Sequence, residues 1–277
     1  MIAWDAQRDP RFWSDRRGRV NTRTGMILEG RVDFLFMGYY QFGDLAARAT
    51  YGQLLFLGVT GRMPTAAEER MLDAMTGGTS YGDPRLWFLS AARWGGEVRS
   101  PAAAALAGAV TICDSKVFGG LATYLASDYF QRSVQRIRDE GIGVEALVAE
   151  RLDKKETIPG YGRPLVRRDE RVPVLLKIHS ELGFPIGPHL RLALDIQEVI
   201  LRRKDIVLNT GGVESAIMSD MGLTPRQINS LVLMQLVPSI FAAMMEGYDE
   251  EPGEFLPQAC EDIEYTGPAE RAVPSRD

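Results

Sequence analysis

Apolar residues recur along this chain at helical rather than strand spacing. Leu192, Ile196, Val199 and Ile200 fall at i, i+4, i+7 and i+8, one face of a helix. The basic run Arg202-Arg203-Lys204 that follows suits a helix C-terminus. Residues 51–58 form an apolar helical stretch expected to stop at Gly58 and Gly61. Thr65 with Glu68 three residues on reads as a capping box, opening a helix that should end at Gly77-Gly78. The alanine-rich run 102–109 suits close helix approach and burial on most sides. Residues 114–120 break the pattern before a long helix over about 121–139, and Gly141 and Gly143 separate it from a shorter one.

Residues 172–182 predict a short helix carrying His179, and 183–188 a turn. Residues 209–212 read as a glycine break before a helix over 213–221. Thr224-Pro225-Arg226-Gln227 supplies cap, first-turn proline and third-position glutamine, and the helix it opens continues through the apolar stretch 231–245. Residues 1–36 read as an irregular, arginine-rich arm anchored by Trp4, Phe12 and Trp13, and 261–268 as an extended polar tail. With no good alternating run and no repeat, the expected fold class is all-α.

Composition narrows the function classes. At 277 residues the chain suits one large domain or two modest ones, and a net charge of −5 gives no general electrostatic case for nucleic acid. Cys113 and Cys260 lie far apart, and with only His179 and His189 beside them a zinc cluster is not expected. No apolar run looks long enough for a membrane span, and the first residues lack the pattern of a secretory signal. The expectation is a cytoplasmic protein with no metal, no membrane and no nucleic-acid partner.

The candidate chemistry gathers at 158–171, where Pro159-Gly160-Tyr161-Gly162 is followed by Arg163, Arg167, Arg168 and Arg171. Glycines let backbone approach a ligand closely, and guanidinium forks hold phosphates and carboxylates with paired hydrogen bonds. The competing reading is an exposed basic turn.

Four stretches, in order, resemble the citrate synthase family, especially its short form of citryl-CoA lyases and the lyase module of ATP citrate lyase. Residues 51–57 with Thr60-Gly61-Arg62-Met63-Pro64-Thr65 and Glu68 are similar to the family's "F-x-E-x-x-x-L-L…G-x-L-P-T-x-x-E". Pro159–Gly162 resembles "P-G-[FY]-G-H", residues 208–212 resemble "L-N-V-D-G", and Tyr265-Thr266-Gly267-Pro268 resembles "Y-x-G-P". The resemblance covers roughly 37–271. It implies a two-domain helical fold, with a large domain of 1–120 plus 212–277 and a small domain of 121–211. It also implies a homodimer, with a coenzyme A thioester as co-substrate and an oxo-acid or acyl-CoA bound near the subunit interface.

In the resemblance, Pro159, Gly160, Tyr161 and Gly162 would offer backbone to the adenine end of CoA, with Arg167 on its phosphates and Arg171 on a substrate carboxylate; Lys204, a further cofactor-binding candidate, lies where the family often has a basic residue before its aspartate motif. The family's proton-handling positions differ here: its aspartate falls on Gly211 and its two histidines on Arg163 and Phe118. A further carboxylate-binding arginine falls near Leu236. An arginine with a pKa above about 12 cannot act as a general base. The expectation is therefore a divergent lyase or condensing enzyme. Arg163 would clamp a carboxylate or enolate, and Asp114, Lys116 or Glu214 would transfer protons. Against these roles stand a solvated loop for Asp114 and Lys116, and a favourable helix N-terminal carboxylate for Glu214.

The alternative is a non-catalytic subunit or ligand-binding partner of an active relative, and beyond it a generic helical bundle. An enzyme should bring Arg163, Arg171 and a carboxylate together in a closed pocket; a dead subunit should have that pocket filled, for instance by Phe118. Two readings are also kept for His179 (packing or proton transfer), His189 (helix start or proton transfer) and Cys113 (buried or nucleophilic).

Overall fold

The computed structural model describes residues 21–27, 33–163, 168–254 and 259–274, together with the single residues 11, 18 and 30. The chain divides into two compact units, Met1–Arg70 and Met71–Asp277.

The first unit holds what the hydrophobic pattern missed. Three short strands, β1 (Gly25–Ile27), β2 (Phe34–Phe36) and β3 (Tyr39–Tyr40), form an antiparallel sheet in that order. Gly25 faces Phe36 and Ile27 faces Phe34. Met37 and Gly38 join β2 to β3 with φ of +49° and +89°, the doubly positive pair that a two-residue hairpin turn requires. The strands are too short to show alternation, so the reading of 1–36 as an irregular arm is corrected within the described residues. Helix α1 (Tyr51–Thr60) follows, capped by a Thr50–Gln53 box. It runs through Gly58 and ends at Gly61, whose φ of +82° places it in the left-handed region.

Helix α2 (Ala66–Thr79) has the expected box: Glu68 N–H donates to Thr65 Oγ1 and Thr65 N–H donates to the Glu68 carboxylate. It does not stop at Gly77-Gly78 but continues to Thr79, which the site uses.

In the second unit the other helices are α3 (Trp87–Glu97), α4 (Ala102–Cys113), α5 (Gly119–Glu140), α6 (Val144–Asp153), α7 (Arg171–Glu181), α8 (Pro188–Leu201), α9 (Thr210–Asp220), α10 (Pro225–Gln235) and α11 (Val237–Asp249). Helices α3, α4 and α11 enclose Phe88, Leu89, Ala92, Ala105, Ala109, Ile240 and Met244. Two glycines permit the α3–α11 approach: a Cβ on Gly247 would lie 2.1 Å from the Arg93 carbonyl oxygen, and one on Gly96 2.3 Å from that of Met244. Helix α8 buries the predicted face of Leu192, Ile196, Val199 and Ile200.

The single helix expected from Thr224 onward is two helices, broken at Leu236. Pro238 cannot donate the backbone hydrogen bond that continuity requires. By length and composition, Pro225–Asp249 could cross a membrane, an 18-residue window within it having a mean hydropathy of 1.7, which corrects the expectation that no run could. In the fold, α10 packs on α5 and α11 on α3, and Leu231, Val232, Ile240 and Met244 are buried.

Candidate active site

Residues 159–162 form a tight loop laid across the start of α9. Gly160 and Gly162 have φ of +88° and +81°. Gly162 N–H donates to Val207 O, while Asn209 donates from its backbone N–H to Gly160 O and from Nδ2 to Gly162 O. A Cβ on Gly212 would lie 2.3 Å from Gly160 O, so the two backbones meet where only glycine fits. Tyr161 points inward: its hydroxyl donates to Ala193 O at 2.6 Å and its ring meets that of Phe130. Burial raises its phenol well above the usual value. Several backbone groups assigned to a CoA adenine are thus already used within the chain. Pro159 is half-buried at the loop's start.

Because Asn209 Oδ1 accepts from Gly212 N–H, α9 begins at Thr210, earlier than the expected 213. Gly211 therefore sits in the first turn, where an added Cβ would lie 3.3 Å from the Thr123 methyl.

Around that N-terminus is a buried group of charges. Asp169 accepts both arms of Arg171, Nε at 2.8 Å and Nη2 at 2.7 Å, and also the Thr210 N–H at 2.9 Å and hydroxyl at 2.8 Å. Burial pushes the Asp169 carboxyl up, but Arg171 and Thr210 outweigh it and hold it at about 2. Burial opposes the Arg171 charge, yet Asp169 keeps its pKa raised. Arg163 lies at the rim, 2.6 Å from Glu170 Oε2 and 3.7 Å from Asp169 Oδ1.

Glu214, one turn into α9, is 1% exposed and accepts a 2.5 Å hydrogen bond from the Thr79 hydroxyl. Burial drives its carboxyl up to about 7, against the opposing pull of Thr79 and Arg171. A carboxyl of that strength exchanges protons near neutral pH, and such shifts gather at functional sites.

The end of α2 and its connector to α3 are the part of this site that sequence reasoning missed. Thr79 holds Glu214, the Tyr81 ring lies 5.1 Å below the Arg171 guanidinium, and Asp83 lies in the field of Arg163. The intervening residues face the other way: Ser80 Oγ accepts Ser239 N–H, and Gly82 and Pro84 line a cavity of about 830 Å³. Arg93, Trp94, Glu97, Glu246, Glu250 and Glu254 line the same cavity, with Arg93 paired to both Glu97 and Glu250. Four carboxylates against one guanidinium suit this cavity poorly to a polyanion such as CoA or a tricarboxylate.

The remaining candidates lie apart from the charged group. Asp114 and Lys116 are exposed; Asp114 accepts from Asn229 at 3.1 Å, and among the described residues no hydrogen bond or ion pair joins either to Glu214. Phe118 packs on Trp87 and Phe88. Lys204 is exposed at the end of α8, and Arg167 lies outside the described residues. His179 is buried, stacked on Phe184, with burial lowering its pKa. His189 places its backbone N–H and ring Nδ1 on Asp220, which caps α8. Burial pushes the Cys113 thiol up to about 12, which removes it as a nucleophile. Among the described residues no group of His, Cys, Asp or Glu is placed to hold a metal.

No family profile and no curated protein sequence matches the chain. Solved structures do. The citryl-CoA lyase of Hydrogenobacter thermophilus superposes with a TM-score of 0.80 at 29% identity, over 92% of this chain and 97% of that one. The ATP citrate lyase of Methanothrix soehngenii, solved with citrate and coenzyme A, gives 0.73 at 18%, over 100% of this chain and 46% of that one. The citrate synthase of Thermoplasma acidophilum, solved with carboxymethyl coenzyme A and oxaloacetate, gives 0.65 at 18%, over 82% and 60%. With the helical order above, these likenesses show the citrate synthase-like helical fold, and the first of them supports a citryl-CoA lyase-like protein.

Proposed function

We propose that this protein makes or breaks a carbon–carbon bond between an acyl-CoA and an oxo-acid, with Glu214 as the proton-transfer group. One observation carries the reading. Gly211, where the family resemblance expects the catalytic aspartate, has no side chain, yet Glu214 stands three residues on along the same helix. Positions i and i+3 share a helix face, so the carboxylate is displaced by one turn rather than lost. It lies in the field of Arg171 and has a pKa of about 7.

In this reading Glu214 as carboxylate takes a proton from the carbon beside the thioester, and the C–H electron pair moves to form the enolate. Arg171, with Arg163 at the rim, orients the carboxylates of the oxo-acid partner. Arg167 and Lys204 are the proposed CoA-phosphate contacts, with loop 159–162 beside them. A homodimer and a small domain over 121–211 belong to the same proposal.

A second reading, a non-catalytic CoA or carboxylate binder, is favoured by one feature: Asp169 already neutralises Arg171 with two hydrogen bonds. The test is oxaloacetate release from citryl-CoA, and citryl-CoA or citrate formation from acetyl-CoA plus oxaloacetate, with calorimetric binding of CoA and carboxymethyl-CoA alongside. Turnover by the wild type that Glu214→Gln loses, with CoA binding kept, supports the enzyme. Binding without turnover in either direction supports the binder.

A further inference from the structure

The proposed chemistry leaves one role unfilled. Proton removal beside a thioester places negative charge on the carbonyl oxygen, and that oxygen needs a hydrogen-bond donor. The positions where the resemblance expects histidines are Phe118, whose ring packs on Trp87 and Phe88, and Arg163, which is paired with Glu170 at the rim. We propose that the Tyr81 hydroxyl is this donor, a further catalytic residue supplied by the α2–α3 connector.

Tyr81 is two residues from Thr79, which holds Glu214, and its ring lies under Arg171. It is half-buried, and its phenol interacts electrostatically with both Arg171 and Arg85. The Arg171 guanidinium, 5.1 Å from the ring centroid, favours negative charge developing beside it. Tyr161 cannot serve, since its hydroxyl is spent on Ala193 O. In the step, the Glu214 carboxylate gains the α-proton and the C–H pair becomes the C=C bond. The carbonyl π pair moves to oxygen, which accepts the Tyr81 O–H; no further reactant is needed.

This assignment rests on the acyl-CoA reading, so its test separates the two. Carboxymethyl-CoA carries a carboxylate where an acetyl thioester develops its enolate; CoA alone does not. Calorimetry on wild type, Tyr81→Phe and Tyr81→Leu is expected to give equal CoA affinities for wild type and Tyr81→Phe. Carboxymethyl-CoA should bind Tyr81→Phe about tenfold more weakly or worse, the worth of one hydrogen bond to a charged group. Deuterium exchange into the acetyl-CoA methyl group should slow by about 10²-fold in that variant, typical for loss of one oxyanion donor. Because Phe keeps the ring under Arg171, unchanged carboxymethyl-CoA binding by Tyr81→Phe, with loss only in Tyr81→Leu, would make Tyr81 a platform and overturn the proposal. Equal losses for both ligands in Tyr81→Phe would overturn it too. Failure of the wild type to bind either ligand would sink the acyl-CoA reading itself.

Discussion

The two sides of the α2–α3 connector make opposite use of buried charge. On one side Thr79, Tyr81 and Asp83 face a group in which arginines match carboxylates and one further carboxyl, Glu214, forms no ion pair among the described residues. On the other, Ser80, Gly82 and Pro84 face α11 and a cavity where, among the described residues, glutamates outnumber Arg93. In the cavity Arg93 is spoken for twice, and its bonds hold Glu250 below the usual carboxylate range. Charge there serves to join helices. In the other group, burial outweighs the pull of Thr79 and Arg171 and raises the Glu214 carboxyl to about 7. The cavity at Arg93 is therefore not the better candidate for the chemistry; the difference lies in the balance of buried charge.

The comparison can be broken most sharply at Glu214. Glu214→Gln should lower thioester turnover by roughly 10²–10⁴-fold, the usual worth of positioned proton transfer. Glu97→Gln on the cavity side should leave turnover within a few-fold. If the two variants lose activity equally, the distinction fails.

Next in size is Arg171→Met, which strands the buried Asp169 carboxylate. Breaking such a pair costs about 3–5 kcal/mol, readable as a lower urea midpoint. A loss below about 1 kcal/mol would mean the pair is solvated as a surface bridge is.

The pH dependence sharpens the contrast within the charged group itself. The folded pKa of Glu214, about 7, lies above its ordinary 4.5, so the folded state holds that proton more tightly. Its contribution to stability is fully present below about pH 4.5 and lost as pH rises through about 7, a slope worth on the order of 3 kcal/mol. Asp169 runs the other way: held at about 2 against an ordinary 3.8, it stabilises above 3.8 and loses this as pH falls toward 2. Urea melts at pH 5 and 8 should show the first slope in the wild type and its absence in Glu214→Gln. The smallest expected effect is Arg167→Ala, with a weakening of CoA binding of about tenfold by calorimetry.

Short-range signals in the sequence were legible. The Thr65–Glu68 and Thr224–Gln227 boxes and the buried stripe of α8 form as expected, because each depends on residues a turn or two apart. Glycine misled twice. Gly77-Gly78 and Gly211-Gly212 read as breaks but lie inside helices, the latter because the loop at Gly160 crosses there. Glu214 and Arg171 were among the candidates; their neighbours were not. Thr79 meets Glu214 across 135 residues of sequence, and no spacing rule reaches that far. Asp114, placed beside them as a proton carrier, turned out to be an exposed partner of Asn229.

The most direct test of the central claim is deuterium exchange into the methyl group of acetyl-CoA, followed from pH 5 to 9 in wild type and Glu214→Gln. Glu214 acting as the base predicts exchange by the wild type that rises through pH 7 and levels above it, and none above background in the variant. Equal exchange by both proteins, or none by the wild type at any pH, would contradict it.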